Sequence, residues 1–400
     1  MSEAGSADGM DNLPRTLVVS EAPFGLNNGF GVTLTTFFSG WAADRLFTLY
    51  TREETAPSGA PRDRSAFADV PGQWGRRHSV GFLLGRRPTW RGRYSAHWLR
   101  RTLRGWRPDV VYTMVFSGET LAFATWVARH LRVPLIAHVA DDGLETQKGG
   151  VSASIGQLLA GAAARISISE EMRQEYAHRY GVDSHVLHNG AADDLFAESG
   201  PTACRKDVFV VRYLGSIVPG QHFSAMEDIA AAVIRLADAG APVRFEIWGG
   251  SWTKQHVETL TDGRAVVYRG AIGKADGFAL LKSADLLVIP VSFDEASFPK
   301  NRLSLPTKLA ECLASGTPTL VYGPAGAAPV EFCRRHRVGS FIDERSPDRV
   351  AAYIRDMIEN RVSARAAAMP GREFVRQHYT AAHARDAFRA IVREAATATR

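Results

Sequence analysis

Four hundred residues, 45% of them hydrophobic and 22% charged, exceed one typical domain and suit two, each able to bury its own core. Cys204, Cys312 and Cys333 are widely spaced and form no CxxC or Cys/His ligand spacing, which argues against a disulfide framework or zinc site and for a reducing compartment. The first residues lack the basic and apolar regions of a signal peptide, and no apolar run approaches the roughly 20 residues of a membrane span. A soluble cytoplasmic protein is expected.

Short β-branched runs alternate with helical stretches along the chain, the pattern of a parallel α/β fold. The first set of strands is expected at Thr16–Ser20, Arg45–Tyr50, Asp109–Val115, Pro134–Ala140, Arg165–Ser169 and Ser184–His188. The second is expected at Val208–Leu214, Val243–Trp248, Ala265–Arg269, Asp285–Val291, Pro318–Tyr322 and Ser340–Asp343. Two sets of six predict two doubly wound domains, 1–198 and 199–370. The segment 371–400 is expected to form one long helix from Gly371 to about Thr397.

In open α/β sheets ligands bind beyond the carboxyl ends of the strands, so the residues following each strand carry the functional reading. After the first strand, Asn28-Gly29-Phe30-Gly31 lets backbone approach a ligand at a helix start. The spacing is not GxGxxG and no acid ends the second strand, which speaks against an NAD site. Between Arg76 and Arg107 stand ten arginines and no acid, accompanied by Trp74, Phe82, Trp90, Tyr94, Trp98 and Trp106. With a net charge of +6, that segment suits an anionic membrane surface. Nothing in it reads a base, so nucleic acid is not expected. His138, Asp141 and Asp142 follow the fourth strand and offer acid–base or orienting groups; a core histidine and a helix-capping aspartate are the plainer alternative.

In the second half, Gly215 and Ser216 close a strand, and Gly220-Gln221-His222 open a helix, giving a loop whose N–H groups can face phosphate. The stretch Ser304–Pro318 is the most informative. Pro306 fits the first turn of a helix of about three turns that Gly316 and Pro318 end. Thr307, Lys308 and Glu311 share its surface near the start, with Leu309 turned inward. Free N–H groups, a dipole end, a hydroxyl and a cation suit a diphosphate there, and Glu311 suits a vicinal diol. An amphipathic helix with a surface Lys–Glu pair is the alternative.

Through Ile168-Ser-Glu-Glu-Met, Val186-Leu-His-Asn-Gly-Ala, Tyr213-Leu-Gly-Ser, Phe245-Glu-Ile-Trp-Gly, Ser283-Ala-Asp-Leu-Leu-Val-Ile-Pro and Pro306–Pro318, the chain resembles the group 1 GT-B glycosyltransferases. The resemblance implies two Rossmann-like domains facing across a cleft, the first for the acceptor and the second for a nucleotide sugar. The terminal helix would return to the first domain. It also implies a hexosyltransferase-type enzyme of the EC 2.4 class that transfers sugar to a hydroxyl with retention and without a metal. Glu311 would hold the ribose; Pro306, Thr307, Lys308 and Leu309 the diphosphate end; Gly215, Ser216 and Gln221 the donor side; Asn28 to Gly31 the acceptor and phosphate side. His138 would meet the transferred sugar, and Asp141 would be the base if the reaction inverted. Lys308 would stabilise the leaving group.

No cofactor is expected beyond the co-substrate, with a UDP-sugar favoured over GDP- or dTDP-sugars. The acceptor would be a glycan, glycolipid or small molecule, and the enzyme would lie at the inner face of a membrane through Arg76–Arg107. The family's paired glutamates stand eight apart, but Leu303 occupies the position eight before Glu311. Gln221 and His222 replace a common basic residue. These departures keep a catalytically silent scaffold open, and the shared domain plan keeps a nucleotide-sugar epimerase open.

Overall fold

The computed structural model describes residues 13–21, 24, 29–50, 64–67, 96–115, 117–142, 152–197 and 207–398. They belong to two compact units, Met1–Leu187 with Ala384–Arg400, and His188–His383.

The first unit carries β1 (Thr16–Ser20), β2 (Leu46–Tyr50), β3 (Arg64–Phe67), β4 (Val110–Val115), β5 (Leu135–Val139), β6 (Ala164–Ser167) and β7 (His185–Val186). They form one parallel sheet in the order β3-β2-β1-β4-β5-β6-β7. Every residue of β1, β4 and β5 is buried, as strands covered on both faces require. The winding reverses between β1 and β4, the kind of switch point where loops diverge and leave a crevice. Some helices start on serine caps. Ser117 accepts the Thr120 N–H at the head of Gly118–Leu131, and Ser169 accepts the Met172 N–H at the head of Glu170–Tyr180. The latter helix ends on Gly181 at φ 64°, a left-handed conformation that glycine adopts without steric cost.

The second unit carries β8 (Phe209–Leu214), β9 (Val243–Trp248), β10 (Val266–Gly270), β11 (Leu286–Pro290), β12 (Thr319–Tyr322) and β13 (Ser340–Ile342). Its parallel sheet runs β10-β9-β8-β11-β12-β13, so the reversal falls between β8 and β11. Helix Pro219–Asp238 turns Met226, Ile229, Val233 and Leu236 into a core with Phe245 and Ile247. Helix Thr307–Ala314 buries Leu309, Ala310 and Leu313 against Leu287, Ile289 and Val321 on the other side.

All twelve expected strands form, and both units are the doubly wound α/β sheets that the alternation predicts. A thirteenth strand, β3, pairs with β2; its Arg-Ser-Ala-Phe run carries no apolar pattern to announce it. The switch from first to second unit comes at Leu187/His188, upstream of the expected 198/199. Ala191 and Leu195 already pack in the second unit's core, and Ala191 bridges Thr380. The tail is not one helix. Arg361–His378 and Ala381–Thr397 are separate, because Ala191 accepts the Ala381 N–H at 2.7 Å and donates to the Tyr379 carbonyl at 2.8 Å. That ladder pulls Tyr379 and Thr380 out of helical geometry. Ala384, Phe388, Ile391, Val392 and Ala395 then pack in the first unit's core with Phe37, Phe38 and Tyr112.

Most of the Arg76–Arg107 segment lies outside the described residues. Within them, helix Ala96–Leu103 buries Leu99 and Leu103, and Trp106 donates to the Asp44 carbonyl at 2.8 Å, while Arg100, Arg101, Arg104 and Arg107 are exposed. Among the described residues no helix is long and apolar enough to cross a membrane.

Candidate functional site

At the switch point of the second sheet, the loops after β8 and β11 are stitched together. Ser292 N–H donates to the Gln221 carbonyl at 2.7 Å, Asn301 Nδ2 to the Gly220 carbonyl at 2.6 Å, and Phe293 N–H to Ser224 Oγ at 2.8 Å. Gly215 has neighbours that leave little room for a side chain. A Cβ there would lie 2.9 Å from the Tyr213 hydroxyl, and one on Gly249 would lie 2.4 Å from the Gly215 carbonyl oxygen. The Tyr213 hydroxyl donates to the Ser216 carbonyl at 2.8 Å, and burial pushes its pKa up. With both carbonyls of the turn engaged from below (Thr253 Oγ1 donates to Gly215 O at 3.2 Å), Ser216 stands exposed at the strand end.

Helix Thr307–Ala314 begins beside this turn: Leu214 packs against the cluster that holds Leu305 and Leu309. The helix is eight residues long, about two turns and not three. Pro306 is its N-cap (φ −61°, ψ 131°) rather than its first helical residue, and no side chain caps it. The first N–H groups therefore keep the donor capacity and dipole end that attract anions. Lys308 Nζ donates to Glu311 Oε2 at 2.7 Å, with the lysine side chain 46% exposed and the glutamate 12%. Leu303 is fully buried, so the position of the family's other glutamate belongs to the interior. His222 is not a cation here. Its Nδ1 accepts the Val218 N–H at 3.1 Å, leaving the proton on Nε2, and burial lowers its pKa to about 4.

In the first unit, Gly29, Phe30 and Gly31 are the first turn of helix Gly29–Phe37, with Gly31 buried and Thr33 Oγ1 bonded to the Gly29 carbonyl at 2.7 Å. Asn28 lies outside the described residues. His138 is fully buried, stacked on Phe37 and bonded through Nδ1 to the Tyr112 hydroxyl at 2.7 Å. Burial brings its pKa down to about 3, so its ring is a neutral core group. Asp141 is half-buried after β5. Asp142 has structural work: it accepts from the Tyr176 hydroxyl at 2.9 Å and from Arg179 at 3.1 Å.

The structure thus brings Gly215, Ser216, Gln221, Pro306, Thr307, Lys308, Leu309 and Glu311 to one end of the second sheet. His138, Asp141 and Gly29–Gly31 belong to the first unit. Two groups carry no obvious signal in the sequence. Glu21 is 5% exposed at the end of β1, beside the first sheet's switch point, and accepts from Thr120 Oγ1 at 3.3 Å. His188 is 7% exposed and neither of its ring nitrogens has a hydrogen-bond partner. A strand-end acid and a His-Asn-Gly turn look like ordinary loop residues until burial is known.

Two family models match the chain: a glycosyl transferase 4-like domain over residues 28–190 and glycosyl transferases group 1 over 208–360. No curated protein sequence matches. Among solved structures, HepE of Anabaena in complex with UDP-glucose aligns with 94% of this chain and 99% of its own at 14% identity, with a TM-score of 0.67. Sucrose-phosphate synthase from Thermosynechococcus elongatus aligns with 95% and 98% at 15% identity and a TM-score of 0.68. WaaG, a glycosyltransferase involved in lipopolysaccharide biosynthesis, aligns with 94% and 99% at 14% identity and a TM-score of 0.61. At such identities these likenesses show a shared fold.

Proposed function

The chain belongs to the group 1 glycosyltransferases of GT-B fold, and from that premise we propose that it transfers a sugar from a UDP-sugar to a hydroxyl with retention and without a metal. The observation that carries this reading is the Lys308–Glu311 pair near the start of a helix whose leading N–H groups have no side-chain cap. Breaking a sugar–diphosphate bond needs charge stabilisation on the departing phosphates more than a protein nucleophile. The helix N-terminus, the Thr307 hydroxyl and the Lys308 ammonium supply it, and Arg302 stands one short loop away. Glu311, one turn further in, takes the ribose diol.

For both residues to reach the nucleotide, their mutual ion pair must open. A half-exposed i,i+3 pair is worth no more than about 1 kcal/mol, so a diphosphate recovers that cost easily. Gly215 and the exposed Ser216, at the adjoining strand end, are assigned to the ligand's phosphates. UDP is the favoured nucleotide because HepE of the same fold is seen with UDP-glucose and UDP. The first unit, with Gly29–Gly31 and Asp141, is assigned to the acceptor. The exposed arginines around helix Ala96–Leu103 favour an acceptor at an anionic membrane surface on the cytoplasmic side. A silent scaffold is the second reading, and buried Leu303 favours it.

Calorimetric titration of UDP, GDP, ADP and dTDP into the wild type and Glu311→Ala tests the proposal. Loss of a charge-assisted hydrogen bond is worth about 1.5–3 kcal/mol, so Glu311→Ala should bind UDP roughly 10- to 150-fold more weakly. Equal affinities would remove Glu311 from the site, and no binding by any nucleotide would leave the scaffold.

A further inference from the structure

The segment His188–Ala191 is fixed more firmly than a turn of this sequence requires. Ala191 is laddered to Tyr379–Ala381 on both sides of its peptide. Gly190 presses on the same strand so closely that a Cβ would fall 2.0 Å from the Thr380 carbonyl oxygen. His188 leads out of this clamp and is more than nine-tenths buried, without a hydrogen-bond partner on either ring nitrogen. The backbone groups of Pro306, Leu305 and Asn189 are near enough to favour a proton on the ring, against the larger opposing effect of burial, without a hydrogen bond of good geometry being formed. Two of these belong to the residues that lead into helix Thr307–Ala314.

A neutral imidazole has one N–H to donate. A buried donor left unpaired is costly, and here acceptors lie alongside it without a formed bond. The Pro306 carbonyl already receives the Leu309 N–H at 3.0 Å and has a second lone pair free. Its peptide group is shared with the Thr307 N–H, which points the opposite way along the same rigid plane. Whatever holds the Pro306 oxygen also aims the Thr307 N–H and, by polarising the amide, makes it a better donor.

We propose that His188 is a positioning residue of the nucleotide site: when a nucleoside diphosphate binds at helix Thr307–Ala314, the His188 ring N–H closes on the Pro306 carbonyl and sets the Thr307 N–H on a phosphate oxygen. This rests on the assignment of the diphosphate to that helix. His188 does not touch the nucleotide. It acts through one peptide group, delivered from a segment that cannot shift without breaking the Ala191–Thr380 ladder. A site residue held by a rigid neighbour in this way keeps its geometry better than one on a free loop.

The test is UDP titration of the full chain with His188→Leu and His188→Gln beside the wild type, and thermal melting of all three without ligand. His188→Leu should melt within a few degrees of the wild type yet bind UDP about tenfold more weakly. His188→Gln, which restores an N–H donor of similar reach, should recover most of that loss. Equal UDP affinity in His188→Leu overturns the inference while leaving the donor site standing. Equal weakening in both variants overturns it too, because then burial and not the N–H matters. If the wild type binds no UDP, GDP, ADP or dTDP, the donor reading itself fails and the role of His188 falls with it.

Discussion

Lys308→Ala separates the two halves of the nucleotide-binding argument, because the lysine opposes one half and serves the other. In the free protein its ammonium sits 2.7 Å from Glu311, the group assigned to the ribose. Removing it leaves Glu311 unpaired, so a ligand that offers only a ribose and a base no longer has to break an ion pair. With the lysine 46% exposed, that pair is worth about 0.2–1 kcal/mol. Uridine should therefore bind Lys308→Ala up to about fivefold more tightly. UDP should behave oppositely. It loses a charge-assisted contact of about 1.5–3 kcal/mol and regains at most about 1 kcal/mol from the opened pair. A net loss of roughly 2- to 100-fold follows. Calorimetry with uridine, UMP and UDP at one ionic strength reads both signs, and the ratio of UDP to uridine affinity is the decisive quantity. If Lys308→Ala weakens uridine as much as UDP, the lysine is only holding the helix start together, and the assignment of the diphosphate to it is wrong.

Two further outcomes are expected. Among the described residues His138 and His188 are buried and His222 is half-buried, and desolvation lowers the first to about 3 and the other two to about 4. The unfolded chain takes up these protons near pH 6.5 and the folded chain only near 3–4, so their stabilisation is full above pH 6.5 and is lost as pH falls through that window. At pH 5 each costs about 2 kcal/mol; thermal melting from pH 7.5 to 5 should fall steeply, with a shallower slope in His138→Gln, and an unchanged slope would contradict the burial of that ring. For the surface, Arg100, Arg101, Arg104 and Arg107 changed together to Glu should abolish sedimentation with phosphatidylserine vesicles, since each basic side chain near such a surface is worth about 1 kcal/mol. Undiminished binding would remove this helix from any membrane contact.

The fold was legible because parallel strands buried on both faces need unbroken β-branched runs, and twelve such runs are written plainly in the chain. β3 was not legible, since an edge strand as short as Arg64–Phe67 owes its existence to its pairing with β2. The break in the tail was hidden for the same kind of reason. Phe374, Val375, Tyr379, Ala387 and Ile391 keep a helical rhythm across it, and only the ladder to Ala191, nearly two hundred positions away, decides that Tyr379 and Thr380 leave the helix.

For the site, what could be read was composition at a helix start; what could not be read was direction. Pro306, Thr307, Lys308 and Glu311 announce themselves because proline and its neighbours fix where the helix begins, and three- and four-residue spacing fixes which side chains are neighbours. His138 also sits at a strand end, but in a strand the side-chain parity decides whether an end residue faces ligand or core. Here Phe37 and Tyr112 receive the ring. His188 reverses the case: a residue in a turn, without any motif, is buried against the carbonyl that shares a peptide with Thr307. Parity and peptide sharing are properties of three-dimensional neighbours. That is why a conspicuous histidine settles into packing, whereas an inconspicuous one lies where it can steer the amide that a phosphate would meet.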